Sequence, residues 1–290
     1  MWLLLLCILV NTLIGVIFKL FSKWEVNVLI AIIVNYFTCV ITASVVYGEL
    51  TIHSEYIQAP WFPYAIFLGL VFVSIFTLVA LTVRSFGIMI ATIFQKMSLV
   101  FPALLGVFLY AESNDFFKLL GIVLSVGSII MISWPSDKKG WKLSLLWLPF
   151  CTWIGSGIIE ITLFYVNAEQ LVASADIRFV SSIFLFAGFF GLILLLLSSI
   201  KQKGFRIQRK DIIAGILLGV PNFFSIYLLV VLLDQGWPGS ELFPINNVGI
   251  LFFSSLIGVA IFAERLNTLK VIGFIASIAA ILLIANGQLF

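Results

Sequence analysis

Long runs of apolar residues, separated by short polar stretches, make up most of this chain. Counting these runs and the Gly, Pro and charged clusters between them predicts ten helices. Their approximate bounds are 2–20, 27–47, 61–83, 87–111, 116–134, 143–166, 171–199, 211–233, 240–263 and 268–286. A span of roughly 20 apolar residues crosses about 30 Å of hydrocarbon, and a β-barrel would show alternating polarity instead. We therefore expect an all-α membrane protein with ten transmembrane helices.

Composition supports this class. Of the 290 residues, 62% are hydrophobic and 10% are charged, and the mean hydropathy is +1.22, whereas soluble domains carry about 25% charged residues. The net charge of +3 comes without a basic tail, which argues against nucleic-acid binding. Cys7, Cys39 and Cys151 lie inside apolar runs, with neither disulfide nor metal-site spacing.

The basic residues predict an orientation, because cytoplasmic loops carry an excess of Lys and Arg. Loops after the odd-numbered helices, with their flanks, hold Lys19, Lys23, Arg84, Lys138, Lys139, Lys142, Lys201, Lys203, Arg206, Arg209, Lys210, Arg265 and Lys270. The opposite loops hold Lys118. We expect the odd-numbered loops to face the cytoplasm of a bacterial plasma (inner) membrane, with both termini outside.

One phrase occurs twice: LLGVFLYAE at 104–112 returns as LIGVAIFAE at 256–264. Residues 101–132 align with residues 253–284 at the same offset of 152 residues. This alignment pairs chemically distinctive residues as well as aliphatic ones. The pairs include Glu112 with Glu264, Lys118 with Lys270, Gly121 with Gly273 and Ser125 with Ser277. Matched aliphatic residues are expected in any two oily helices, but Glu, Lys, Gly and Ser in register indicate duplication.

The two copies divide near the polar stretch SDKKG at 136–140, giving repeats of five helices at 1–136 and 137–290 within one transmembrane domain. Because five is odd, the second copy enters the membrane from the other side and the repeats are inverted. Inverted repeats can open a site at the membrane midplane to each face in turn, which is the geometry of alternating access.

These features resemble the drug/metabolite transporter superfamily, EamA type. The resemblance covers nearly the whole chain and is carried by the ten-helix plan, by both copies of the repeated segment, and by ADIRFVSSIFLFAGFF at 175–190. It implies that helices one, three, four, six, eight and nine line a central cavity, and it does not specify a substrate. Many relatives keep both termini in the cytoplasm, so the charge pattern of this chain departs from the family.

Charged side chains within the spans are the first candidates for a binding site, since each costs about 2.5–3.5 kcal/mol at the centre of a span. Lys96 lies in the fourth predicted helix without an acidic residue three or four positions away, so its partner is another helix, backbone carbonyls or substrate. Glu160 lies in the sixth. Asp176 and Arg178 lie in the seventh, where they diverge by about 200°, so at most one faces a cavity with Glu160. The alternative role of Arg178 is structural, either an ion pair with Glu160 or Asp176 or snorkelling to the membrane interface. The alternative role of Glu160 is structural pairing.

Amide side chains extend this set, because they both donate and accept hydrogen bonds. Gln95 and Asn247 occupy equivalent positions at the repeat offset, and Asn246 stands beside Asn247 in ELFPINNVG. Asn222 follows the proline of LGVPNFFSIY, and Asn11 lies in the first helix. Their alternative role is hydrogen bonding between helices.

We therefore predict a secondary transporter that moves a small polar metabolite, anionic or zwitterionic, by alternating access and is either proton-coupled or an exchanger. The alternative is a membrane scaffold or assembly subunit that does not transport. No catalytic constellation surrounds the one histidine, His53, so we expect neither an enzyme nor a bound cofactor or metal. The lipid bilayer is a further expected partner. The chain is either a monomer or a homodimer, and in a homodimer a second copy of the chain is also a partner.

Overall fold

The computed structural model describes residues 2–86, 88–112, 115–134, 143–172, 175–202, 207–262 and 268–285. Within these ranges the chain is helical and contains no β-strand. The α-helices are α1 (Trp2–Lys23), α2 (Val28–Tyr47), α3 (Phe62–Phe86), α4 (Ile88–Lys96), α5 (Val100–Leu109), α6 (Phe116–Ser133), α7 (Trp147–Ala168), α8 (Ile177–Gln202), α9 (Arg209–Asp234), α10 (Gly239–Phe262) and α11 (Thr268–Ala285). Short 3₁₀ helices lie at Ser54–Gln58, Met97–Leu99 and Leu143–Leu145.

Eight helical stretches in the described ranges are long and apolar enough to cross a membrane. They are Trp2–Phe21, Val28–Tyr47, Phe62–Val83, Ile90–Leu109, Trp147–Ala168, Ile177–Leu197, Arg209–Asp234 and Gly239–Ile261. Two further apolar helices, Phe116–Ile132 and Thr268–Ile284, are shorter. The all-helical prediction is confirmed for the described residues, and these helices indicate an integral membrane protein. The count of ten spans stays a prediction.

Two of the predicted helices differ from the structure, one by an interruption and one by its start. The fourth predicted helix, 87–111, is interrupted: α4 ends at Lys96, a 3₁₀ turn follows, and α5 begins at Val100. Pro102 explains the interruption, because proline has no N–H for the carbonyl four residues earlier and its ring clashes there. The seventh predicted helix begins at Ile177 rather than at residue 171. Asp176 therefore precedes the helix, and the divergence expected for two helical residues does not apply to it and Arg178.

The chain divides into two compact units. The first comprises Met1–Val73 and Val166–Asp234. In it α2 packs against α8 and α9, and α1 packs against α9. Its buried interior contains aromatic rings at 6.0 to 6.1 Å between centroids, with Phe184 beside Phe72 and Tyr36.

The second unit comprises Ser74–Tyr165 and Gln235–Phe290. Its largest helix contact joins α6 and α11, and α10 packs against α5 and α11. Glycines allow the α6–α11 approach at both ends. A Cβ on Gly121 would lie 2.7 Å from Ile284 Cγ1, and a Cβ on Gly273 would lie 2.8 Å from Ile132 Cγ1. The two contacts exchange places when each residue is replaced by its counterpart at the repeat offset.

Several residues of the sequence argument lie outside the described ranges. They include the SDKKG stretch, which is the predicted boundary between the repeats, and Glu264, the carboxylate of the second copy of the phrase. Six of the basic residues that predict the orientation also lie there: Lys138, Lys139, Lys142, Lys203, Arg206 and Arg265. The repeat boundary and the orientation therefore stay predictions.

Candidate binding site

Three of the residues singled out in the sequence meet inside the second unit. Lys96 Nζ donates to Asn247 Oδ1 at 3.2 Å, and Asn247 Nδ2 donates to Glu160 Oε1 at 2.7 Å. One amide thus bridges an ammonium and a carboxylate. Asn247 is 2% exposed, while Lys96 and Glu160 are partly buried. We call Lys96, Asn247, Glu160 and Ser98 the polar network.

Ser98 completes the network and was not predicted from the sequence. Its Oγ lies 2.9 Å from Glu160 Oε2 and 2.7 Å from the carbonyl oxygen of Gln95. The side chain is fully buried. A single serine in an apolar helix is ordinary, so the composition did not mark Ser98 as a site residue. The feature that could have identified it is Pro102, which predicts a distorted backbone four residues earlier.

Four elements position these side chains. Lys96 is in the last turn of α4, where a cation interacts favourably with the carbonyl end of the helix. Ser98 is in the 3₁₀ turn between α4 and α5, Glu160 is on α7, and Asn247 is on α10. A lysine, a carboxylate and an amide held together among apolar helices can bind a polar group that water would otherwise solvate, because polar side chains within such helices usually face an interior cavity.

The two other predicted residues of this unit make different contributions. Gln95 enters the network through its backbone carbonyl, which accepts from Ser98. Asn246 is 7% exposed, and its Oδ1 has no hydrogen-bond partner within the described part of the chain. A buried amide oxygen without a donor is costly, so Asn246 is a further candidate for contact with a bound molecule.

The remaining predicted residues lie in the first unit, where each has a partner of its own. Asn11 Nδ2 donates to the Cys7 carbonyl at 2.9 Å. Asn222 Nδ2 donates to Asn35 Oδ1 at 3.1 Å, and Asn35 is fully buried. The Asn222–Asn35 contact joins α9 to α2 and matches the alternative of bonding between helices, whereas the Asn11 bond lies within α1.

Arg178 also lies in the first unit. Its guanidinium binds Asp176, with Nη2 2.6 Å from Oδ2, and lies 5.1 Å from the centre of the Tyr56 ring. The side chain is 36% exposed. The structural alternative, an ion pair with Asp176, is therefore the arrangement that the structure contains.

The glutamate of the repeated phrase forms a second charged cluster in the second unit. Glu112 Oε1 accepts from Gly239 N at 2.8 Å, and Oε2 accepts from Ser240 N at 2.9 Å and from the Ser240 hydroxyl. These donors are the first residues of α10, so the carboxylate caps that helix from another segment of the chain. Buried Lys118 lies 3.0 Å from Glu241 Oε1 and 3.9 Å from Glu112 Oε2.

The composition of the phrase now has a physical explanation. Gly106 leaves room for the carboxylate, since a Cβ there would lie 2.5 Å from Glu112 Oε2. The Glu112 N–H donates to the Gly106 carbonyl at 3.0 Å, and Ala111 adopts a φ of 51°. The backbone therefore turns back over the end of α5 and places Glu112 against α10. Sequence register identified Glu112 and Lys118 as unusual but did not identify Glu241 as their partner.

In its described residues this is an all-helical protein, with helices able to span a membrane and a polar network among them. No family model matches the chain. A protein of Haemophilus influenzae described as uncharacterized is 26% identical over 291 residues, covering 96% of this chain and 95% of its own. A solved crystal structure, 11% identical, superimposes with a TM-score of 0.79 over 97% of this chain and 94% of the other. The second likeness concerns the fold alone.

Proposed function

We propose that this chain is a secondary transporter of the drug/metabolite transporter superfamily, EamA type, which moves a small anionic or zwitterionic metabolite by alternating access. The polar network carries the proposal. An ammonium and a carboxylate, bridged by one amide, offer complementary groups to a polar solute inside otherwise apolar helices. Lys96 would bind the anionic group of the substrate, and Asn247 and Glu160 would bind its donors.

The proposal includes ten transmembrane helices in two inverted repeats. The α6–α11 contact supports it, because Gly121 against Ile284 and Gly273 against Ile132 are the two contacts that a two-fold axis perpendicular to the helices would exchange. Lys118 and Lys270, equivalent in the repeat, are both buried, at 1% and 8% exposure. The matched Gly–Ile contacts and the matched buried lysines are not expected from apolar composition alone.

Topology can be tested directly. Ser113→Cys and Arg265→Cys occupy equivalent positions in the two copies, and both follow the repeated phrase. With inverted repeats in a bacterial inner membrane, an impermeant thiol reagent labels Ser113→Cys from outside intact cells and labels Arg265→Cys only after the membrane is opened. Labelling of both positions from the same side contradicts the inverted arrangement, and labelling of Arg265→Cys alone from outside reverses the proposed orientation.

Binding is tested with the purified protein. A thermal-shift screen against amino acids, nucleosides, sugar phosphates and nucleotide sugars should find ligands that raise the melting temperature of the wild type. Lys96→Ala should abolish that rise, whereas Lys210→Ala removes the same charge from the first turn of α9 and should retain it. Equal stabilisation of wild type and Lys96→Ala would exclude Lys96 from the site.

Transport is tested by uptake of each stabilising ligand into liposomes. A proton-coupled carrier responds to an imposed pH gradient, and an exchanger responds to ligand loaded inside. The alternative function, a membrane scaffold or assembly subunit, requires that no ligand stabilises the protein and that no uptake occurs.

A further inference from the structure

The hydroxyl of Ser98 has two close acceptors and only one proton. Its Oγ lies 2.7 Å from the Gln95 carbonyl oxygen and 2.9 Å from Glu160 Oε2. A hydroxyl donates one hydrogen bond and accepts others. If Glu160 is ionised, both neighbours of Ser98 are pure acceptors, and one of these two short contacts contains no hydrogen.

The rest of the network decides which oxygen of Glu160 can carry a proton. An ammonium only donates, so the Asn247 atom that faces Lys96 at 3.2 Å is the oxygen. The Asn247 amide nitrogen therefore faces Glu160 and donates to Oε1 at 2.7 Å. Oε1 is the accepting oxygen, which leaves Oε2, the oxygen beside Ser98, to hold the proton.

We propose that Glu160 binds a proton on Oε2 and donates it to Ser98, while Ser98 donates its own hydrogen to the Gln95 carbonyl. All donors then point one way, from Lys96 through Asn247, Glu160 and Ser98 to the backbone. When the proton leaves for water, Glu160 becomes a carboxylate, the Ser98 hydroxyl rotates to donate to Oε2, and the Gln95 carbonyl loses that hydrogen bond. Proton binding thus changes the bonding of the 3₁₀ turn between α4 and α5.

This inference rests on the proposed function in one respect, since it makes the proton the coupling ion. Among the described residues, three groups face Glu160: the amide of Asn247 from α10, the hydroxyl of Ser98 from the 3₁₀ turn, and the charge of Lys96 from α4. With Glu160 ionised, its charge and that of Lys96 cancel. With Glu160 protonated, the network is positive, which favours an anionic substrate group beside Lys96. The proton and the anion are therefore expected to load together, each raising the affinity for the other.

Proton binding can be measured without knowing the substrate. In infrared spectra of the purified full-length protein, a protonated carboxylic acid has its own carbonyl stretch, which a carboxylate lacks. We expect one such band to disappear as pH rises and to be missing in Glu160→Gln at every pH. Ser98→Ala should keep the band and move it, because the acid O–H loses its acceptor, and Ser98→Thr should restore its position.

Ser128→Ala is the matched control. Ser128 is fully buried and donates to the Ser125 carbonyl at 2.8 Å, three residues earlier, as Ser98 does to Gln95. This variant should leave the band in place, and circular dichroism of each variant verifies folding.

If Glu160→Gln removes no band at any pH at which the wild type is folded, the proton site is wrong. If Ser98→Ala leaves the band where Ser128→Ala leaves it, the role of Ser98 is wrong. A band that depends on Glu160, found together with no uptake of any screened ligand, overturns the transport proposal alone. Uptake without such a band overturns the proton site alone.

Discussion

Replacing Lys118 with methionine should destabilise the second unit strongly. The ammonium is 1% exposed and lies 3.0 Å from Glu241 and 3.9 Å from Glu112, whose side chains are 5% and 13% exposed. Methionine is similar in length but uncharged, so Lys118→Met leaves the buried Glu241 and the partly buried Glu112 without their cation. Removing one partner of a buried ion pair costs about 3–5 kcal/mol, against about 0–1 kcal/mol for a surface pair.

The free energy of unfolding in detergent micelles, followed by circular dichroism, measures this cost. The control is the double variant Lys118→Met with Glu241→Gln, which removes both members of the closer pair. Its Glu112 keeps the backbone donors of α10, so the double variant should be more stable than Lys118→Met alone. A loss below about 1 kcal/mol for the single variant, or a double variant less stable than the single one, would show that the ammonium does not compensate these carboxylates.

Two further stability predictions use the same assay. Gly106→Ala should cost about 1–3 kcal/mol, because the new Cβ would lie 2.5 Å from Glu112 Oε2. Its control, Gly127→Ala, should be neutral or slightly stabilising, because no heavy atom lies within 4 Å of the new Cβ. Equal effects of the two substitutions on the free energy of unfolding would contradict the packing argument. Asn222→Leu leaves Asn35 Oδ1 without its amide donor. It should lower the free energy of unfolding by about 0.6 kcal/mol, and by at most about 1.7 kcal/mol, as is typical of one interhelical hydrogen bond in a membrane protein. An unchanged free energy of unfolding would mean that this bond is not stabilising.

The cost of burying charge in lipid made part of the site predictable. Lys96, Glu160 and Asn247 stand out because few polar side chains interrupt the apolar runs, and the structure brings these three together. Ser98 did not stand out, since a hydroxyl can satisfy itself on a nearby backbone carbonyl and costs an apolar helix little.

The sequence could not predict which residues from different helices contact one another. Helical periodicity says which residues share a face of one helix, but it does not say which helix lies opposite. Glu112 was recognisable from its repeat, yet its contact with the start of α10 depends on a turn with positive φ at Ala111. Arg178 shows the same limit in reverse: because α8 begins at Ile177, its ion pair with Asp176 forms across the helix start, where periodicity does not apply.

The proposed duplication accounts for the repeated helices but not for the charged and hydroxyl side chains of the polar network. At the repeat offset Gln95 corresponds to Asn247, so both copies supply an amide there. Lys96 and Ser98, however, correspond to Val248 and Ile250, which are buried and apolar. Two equivalent sites would each keep a cation, whereas here the second copy has no ammonium at the equivalent position. Loss of Lys96 therefore cannot be compensated by its counterpart, and for that reason Lys96→Ala should remove the ligand response completely rather than halve it.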